Sequence, residues 1–236
     1  MTSLGDASAI VLAGGLGTRL RATVSDRPKV LAEVRGRPFL AYLLDRLCAA
    51  GVGEIVISIG YRGADVRAAF GTSYRGRPLR YAEESSPLGT AGALRVLLPR
   101  LDSDPLLVLN GDSCCEVDLA ELWRWHATRG ANATLCLVHL PDTSRFGRVA
   151  VNEHGGIEGF VEKAESRAAG WINAGVYVFS QSVLEVIPPG RAVSLEREIL
   201  PAWIGRGLYG MRVAGRFIDI GTTESYRAAQ ADEVWL

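Results

Sequence analysis

The chain has 236 residues, 48% of them hydrophobic, enough to build one α/β domain around a sizeable core. Its 26 Lys and Arg against 26 Asp and Glu leave no formal net charge, so no global field draws in nucleic acid or an acidic membrane and any anion site is local. No apolar run approaches the roughly 20 residues of a membrane span. The polar residues 1–8 lack an export pattern. Cys48, Cys114, Cys115 and Cys136 form no C-x-x-C pair, which disfavours zinc and suits free thiols in a reducing cytoplasm. The expectation is a cytoplasmic protein with small-molecule partners, without nucleic acid or membrane.

Residues 9–13 form an apolar run bounded by glycine, the pattern of a buried parallel strand. Leu12 and Ala13 end that strand, and Gly14, Gly15 and Gly17 follow, a bare backbone that turns sharply and brings N–H groups close to a ligand. Thr18 and Arg19 come next, with a second cation, Lys29, ten residues beyond Arg19. Glycines and cations together point to a polyphosphate site. A P-loop is excluded because Arg19 follows Thr18 with no Gly-Lys-Ser/Thr run. A dinucleotide fingerprint is excluded because Leu20 stands where its third glycine belongs.

Further along, helical spacing covers residues 38–50, a strand 54–59, a short helix 64–70, a strand 79–83, a helix 89–101 and a strand 105–109. Asp118 is placed as the N-cap of a helix over 118–129, with Glu121 three residues on, and 133–140 is again strand. This order predicts an α/β fold with a doubly wound, mostly parallel sheet. Beyond Pro141, segments 148–151 and 157–161 read as an antiparallel hairpin. A strand over 171–179, a helix over 195–204, strand material over 208–220 and a helix over 222–235 follow. The chain reads as one domain, residues 9–140 forming one half and 141–236 a small antiparallel subdomain laid on it with the C-terminal helix. The apolar Val234-Trp235-Leu236 is either core or the interface of a homodimer.

Ligands of open α/β sheets gather at the carboxyl ends of strands. There Asn110-Gly111-Asp112 follows the strand 105–109, and Asp112 is placed to hold Mg²⁺ on phosphate oxygens. Asp219, inside an apolar run, needs a cation partner, either Mg²⁺ or an arginine. Glu162 and Lys163 end the hairpin and face opposite ways, while Asn173 can donate to and accept from sugar hydroxyls. Gly89 and Thr90 open a helix whose free N–H groups permit close approach of a flat ligand. Nearby Glu84 can accept the paired N1–H and amino donors of guanine, a two-bond match of about 1–3 kcal/mol by analogy with base readout.

Gly14-Gly15-Leu16-Gly17-Thr18-Arg19-Leu20 with Pro28-Lys29 resembles the opening of the sugar-1-phosphate nucleotidyltransferases, and the likeness runs from Ala9 to Gln230. It implies a Rossmann-like, GT-A-like nucleotidyltransferase fold, a nucleotide-binding half over 9–140 and a sugar-phosphate-binding half over 141–236. It also implies roles. Arg19 holds the β and γ phosphates and Lys29 the α-phosphate. Leu12, Ala13, Gly14, Gly15, Gly17, Thr18, Glu84, Gly89, Thr90 and Gly111 line the nucleotide. Asp112 and Asp219 hold Mg²⁺, Lys163 takes the sugar phosphate, and Glu162 and Asn173 contact the sugar. Ala164 stands where the family usually has proline. Pro87-Leu88-Gly89-Thr90-Ala91-Gly92 is similar to the guanylyltransferases, which implies GTP. Ser25-Asp26-Arg27-Pro28-Lys29, Pro38-Phe39-Leu40 and Phe217-Ile218-Asp219-Ile220-Gly221 resemble the D-glycero-α-D-manno-heptose-1-phosphate group, as does the absence of a β-helix extension. Mannose or glucose 1-phosphate as acceptor, and a non-catalytic sugar-nucleotide sensor, are the alternatives.

Overall fold

The computed structural model describes residues 3–20, 22–84, 86–161 and 168–232. Glu162, Lys163 and the C-terminal Val234-Trp235-Leu236 lie outside the described residues. The central strand is β1, Ser8–Ala13, and it is buried along almost its whole length. It is followed by α1 (Phe39–Ala50), β2 (Glu54–Ile59), α2 (Gly63–Phe70), β3 (Arg77–Glu83), α3 (Gly89–Leu97), β4 (Leu106–Asn110), β5 (Ser113–Cys115), α4 (Leu119–Thr128) and β6 (Ala133–Leu140). Then come β7 (Arg148–Val151), β8 (Ile157–Val161), β9 (Gly170–Phe179), β10 (Leu208–Val213), β11 (Phe217–Asp219) and α5 (Thr223–Ala231).

An eight-stranded sheet runs in the order β10, β6, β9, β4, β1, β2, β3 and a short edge strand, Ser73–Tyr74. β1 is parallel to both β2 and β4, β2 to β3, and β6 to β10. Alternate residues of β1 feed opposite faces. Ala9, Val11 and Ala13 pack in one core with Leu40, Leu44 and Leu47 of α1 and Leu119 and Leu122 of α4, while Ile10 joins Ala91, Leu94 and Leu97 of α3 in the other. The two cores are the two helical layers of the doubly wound fold.

The parallel pattern has one central exception. β9 lies between β4 and β6 and runs antiparallel to both. It belongs there because residues 174–179 are buried on both faces, which only an interior strand allows. The strand read from sequence as part of the second half therefore sits in the middle of the main sheet. The antiparallel hairpin β7–β8 forms as expected, with Arg148 opposite Val161. The β9–β6 register breaks between Asn173 and Tyr177. At the break Gly175 has φ +74, and a Cβ there would fall 2.6 Å from Ser113 Oγ, so glycine meets both the left-handed backbone and the close contact.

Other elements match their sequence signals. Asp118 caps α4 through side-chain bonds from the Ala120 and Glu121 N–H groups at 2.9 and 3.0 Å. The helix read over 195–204 is instead a π-helical turn, Leu195–Ile199, running into a short α-helix, Leu200–Ala202. The four cysteines are free thiols. Among the described residues no helix is long and apolar enough to cross a membrane.

His126, on the buried side of α4, lies with Nδ1 2.9 Å from Thr134 Oγ1, and burial pushes its imidazole down to about 4. Its folded-state value lies below that of the unfolded chain, so its contribution to stability is complete above the unfolded value near 6.5 and is lost as pH falls toward 4. Between about pH 7.5 and pH 5 the expected loss from this one group is roughly 2 kcal/mol. Urea titrations of the wild type and His126→Gln at both pH values check it, because the variant should show a correspondingly smaller pH dependence.

Candidate active site

A cleft of about 580 Å³ opens where β1, β3 and β4 end at their carboxyl termini and meet β9, the hairpin β7–β8 and β11. Leu12, Gly14, Gly15 and Arg19 line it from the first loop, Glu84, Gly89 and Thr90 from the turn into α3, and Asp112, Asn173 and Asp219 from the rest of the fold. Ten of the residues singled out by sequence thus share one cavity. Ala13 is buried instead, Thr18 is exposed in the turn, and neither Gly17 nor Gly111 lines the cleft. Lys29 reaches it through a partner, as its ammonium is ion-paired with Asp112.

Asp112 and Asp219 are neighbours across a short antiparallel pairing of β5 with β11, in which Ser113 stands opposite Asp219. The Ile220 N–H also donates to the Asp112 carbonyl at 2.9 Å. Asp219 is the more buried of the two, its side chain 13% exposed against 36% for Asp112. Its cation partner is Arg145, whose Nη2 lies 2.6 Å from Oδ1, and the Ser225 hydroxyl donates to the same oxygen at 3.1 Å. Ser225 is fixed by the capping box that Thr222 forms at the start of α5. Two carboxylates lining one cleft, Asp112 from the turn before β5 and Asp219 from β11, fit the Mg²⁺ preference for one or two carboxylates completed by phosphate and water. No third metal-type side chain joins them among the described residues.

Glu84 is a tie rather than a solvated strand end. Oε1 accepts from the Ser58 hydroxyl at 3.1 Å and Oε2 from the Leu88 N–H at 3.2 Å. A Cβ on Gly14 would lie 2.4 Å from Oε1, so only glycine lets the first loop pass this close to the carboxylate. The start of α3 differs from expectation. The Ala91 N–H is taken by the Val193 carbonyl at 3.0 Å, and the Val193 N–H returns to the Leu88 carbonyl at 2.9 Å. A strap from the second half thus covers part of the helix end. Thr90 Oγ1 accepts from the Leu195 N–H at 2.8 Å and donates to Glu196 Oε2 at 3.1 Å.

Beneath Asn173 lies a buried polar network that sequence reading missed. Asn173 Nδ2 donates to the Tyr177 hydroxyl at 2.8 Å, while its Oδ1 accepts from the Gly175 N–H at 3.0 Å. The hydroxyl also receives Asn110 Nδ2 at 3.4 Å and points to Glu196 Oε1 at 3.5 Å. Burial raises the Tyr177 phenol well above its ordinary value, with nearby Glu196 adding to the shift, so it stays a donor. Asn110 Oδ1 is buried without a hydrogen-bond partner. The spacing of Asn110, Tyr177 and Glu196 gave no signal, because the bulge at Gly175 and the strap bring them together from distant segments.

The profile of the nucleotidyl transferase family matches residues 8–234. A mannose-1-phosphate guanylyltransferase of Mycobacterium tuberculosis is 40% identical over 96% of this chain, which spans 64% of that relative's length. A D-glycero-alpha-D-manno-heptose 1-phosphate guanylyltransferase of Aneurinibacillus thermoaerophilus is 33% identical over 95% of this chain and 97% of the relative. The crystal structure of HddC from Yersinia pseudotuberculosis complexed with GMP-PN superposes with a TM-score of 0.83 at 28% identity, covering 95% of this chain and 98% of that one.

Gly111 donates its N–H to the Leu12 carbonyl at 2.9 Å, and a Cβ on it would fall 2.6 Å from that oxygen. It acts as the contact that brings the ends of β1 and β4 together beside Asp112. Gly111→Ala should cost about 1–3 kcal/mol through overpacking. Urea denaturation measures that loss, and an unchanged midpoint would remove Gly111 from this role.

Proposed function

The chain belongs to the nucleotidyl transferase family, and from that premise we propose that it transfers GMP from GTP to a sugar 1-phosphate, giving a GDP-sugar and pyrophosphate. The observation that carries the reading is the meeting of Arg19, the Lys29–Asp112 pair and the Arg145–Asp219 pair in one cleft. Guanine as the base rests on the two relatives named above and on the turn Pro87-Leu88-Gly89-Thr90-Ala91-Gly92.

The acceptor is a manno-configured sugar 1-phosphate. Heptose rests on the residues that resemble that group, mannose on the higher identity of the mycobacterial relative. The two share one ring and differ by a carbon beyond it. Asn173, which lines the cleft and can both donate and accept, suits sugar hydroxyls.

The acceptor's phosphate oxygen attacks the α-phosphorus in line as pyrophosphate leaves, and the protein's contribution is positioning and charge neutralisation. Arg19 holds the β and γ phosphates. Lys29 neutralises charge that develops on the α-phosphate. Asp112 and Asp219 would hold Mg²⁺, which supplies further neutralisation on the phosphates when bound. Lys163 and Glu162, by the family resemblance, receive the acceptor's phosphate and a sugar hydroxyl.

A pyrophosphate-release assay crossing four nucleoside triphosphates with heptose, mannose and glucose 1-phosphates should give its highest kcat/KM for GTP with a manno sugar. In the same assay Lys29→Ala should lower kcat by about 10²–10³-fold while the KM for GTP moves only a few-fold. Near-normal turnover in that variant would overturn the role of Lys29.

A further inference from the structure

Not every cation that lines the cleft is used within the protein. Each acid has a partner: Glu84 the Ser58 hydroxyl and the Leu88 N–H, Asp112 Lys29, Asp219 Arg145, and Glu196 the Thr90 and Ser194 hydroxyls. Among the described residues Arg19, Arg148 and Arg197 line the same cleft with no hydrogen-bonded or ionic partner for the guanidinium. Arg19 and Arg197 are exposed, whereas Arg148 is half-buried, and a permanent cation drawn partly out of water without a counter-charge is costly, so Arg148 in a cleft points to an anionic ligand. Arg19 belongs to the nucleotide loop. Arg148 does not.

Arg148 opens β7, opposite Val161 at the end of β8, and both face the cleft. Its stem is held in place, since a Cβ on Gly170 would fall 2.9 Å from Arg148 Cδ and the missing side chain leaves room for the arginine. Gly170 begins the strand that carries Asn173 three residues later. Arg148 is thus half-buried, lines the same cleft as Asn173, and has its stem anchored by packing rather than its charge by a salt bridge.

We propose that Arg148 is a binding residue for the phosphate of the acceptor sugar, gripping that dianion while Asn173 meets the sugar. The inference rests on the sugar-1-phosphate reading above and adds to it a second acceptor-side cation. A guanidinium fork matches two phosphate oxygens at once, which a hydroxyl or an amide on the sugar ring would not use. Charge-assisted bonds of this kind fix orientation as well as affinity, as an in-line attack requires.

The test is the separation of the two Michaelis constants. Arg148→Ala should raise the KM for mannose 1-phosphate and heptose 1-phosphate at least tenfold and leave the KM for GTP within twofold. Arg148→Lys should recover part of the loss. Gly170→Ala, which crowds the stem but keeps the charge, should give a smaller rise of the same kind. Thermal unfolding of each variant confirms that it is folded. An unchanged sugar KM, or an equal rise in both constants, would overturn the proposal. If the wild type released no pyrophosphate with any pairing, the catalytic reading would fail, and calorimetric titration with mannose 1-phosphate would then decide this inference alone. Weaker binding to Arg148→Ala supports it, and equal binding by the two proteins overturns it.

Discussion

Two carboxylates side by side repel, and the cleft is built around the means of holding them there. The three-residue pairing of β5 with β11 holds Asp112, at the turn before β5, close to Asp219 of β11, and the Ile220 N–H ties the backbone between them. Two like charges held close together in a partly buried site repel, and the repulsion grows as water is excluded. Lys29 on one acid and Arg145 on the other lift that cost in the ligand-free chain. The cations come from outside the strand pair, so the arrangement depends on the first loop and the segment before β7 being in place together.

That dependence explains why the second half of the chain is threaded through the first. β9 lies inside the main sheet, and the strap at Val193 and Leu195 bonds to the start of α3. At the other end α5 reaches back, with Tyr226 and Gln230 donating to the Glu33 carbonyl at 2.6 Å each, just beyond Lys29. The first two of these connections border the cleft. For the proposed transfer, a loosely docked subdomain would let the groups around Asn173 drift by the ångström or so that in-line attack does not tolerate.

Much of the fold was legible because its signals are local. The apolar run at β1, the helical spacing of α1 and the Asp118 cap each depend on a few neighbouring residues and were placed nearly to the residue. The direction and position of β9 were not legible, since a buried strand looks the same whichever way it runs and whichever neighbours it has. The same limit governs the site. Arg19, Lys29, Asp112 and Asp219 stood out as charges beside glycines or inside apolar runs. Arg145, Arg148 and Glu196 carry no such mark in the sequence, and the fold brings them to the cleft.

The Lys29–Asp112 contact carries a last consequence for the chemistry. An ammonium paired with a carboxylate is a spectator, and the same ammonium beside the α-phosphate is an electrophilic aid, so its contribution depends on which anion it faces. In the proposed mechanism Lys29 serves both, its side chain being 12% exposed and its stem packed over Gly17, where a Cβ would come within 3.2 Å of Lys29 Cβ. The stem stays put and only the tip has to turn. A lysine held in this way gives up little entropy when it changes partner, which suits the proposed exchange from an acid before a nucleotide arrives to a phosphate afterwards.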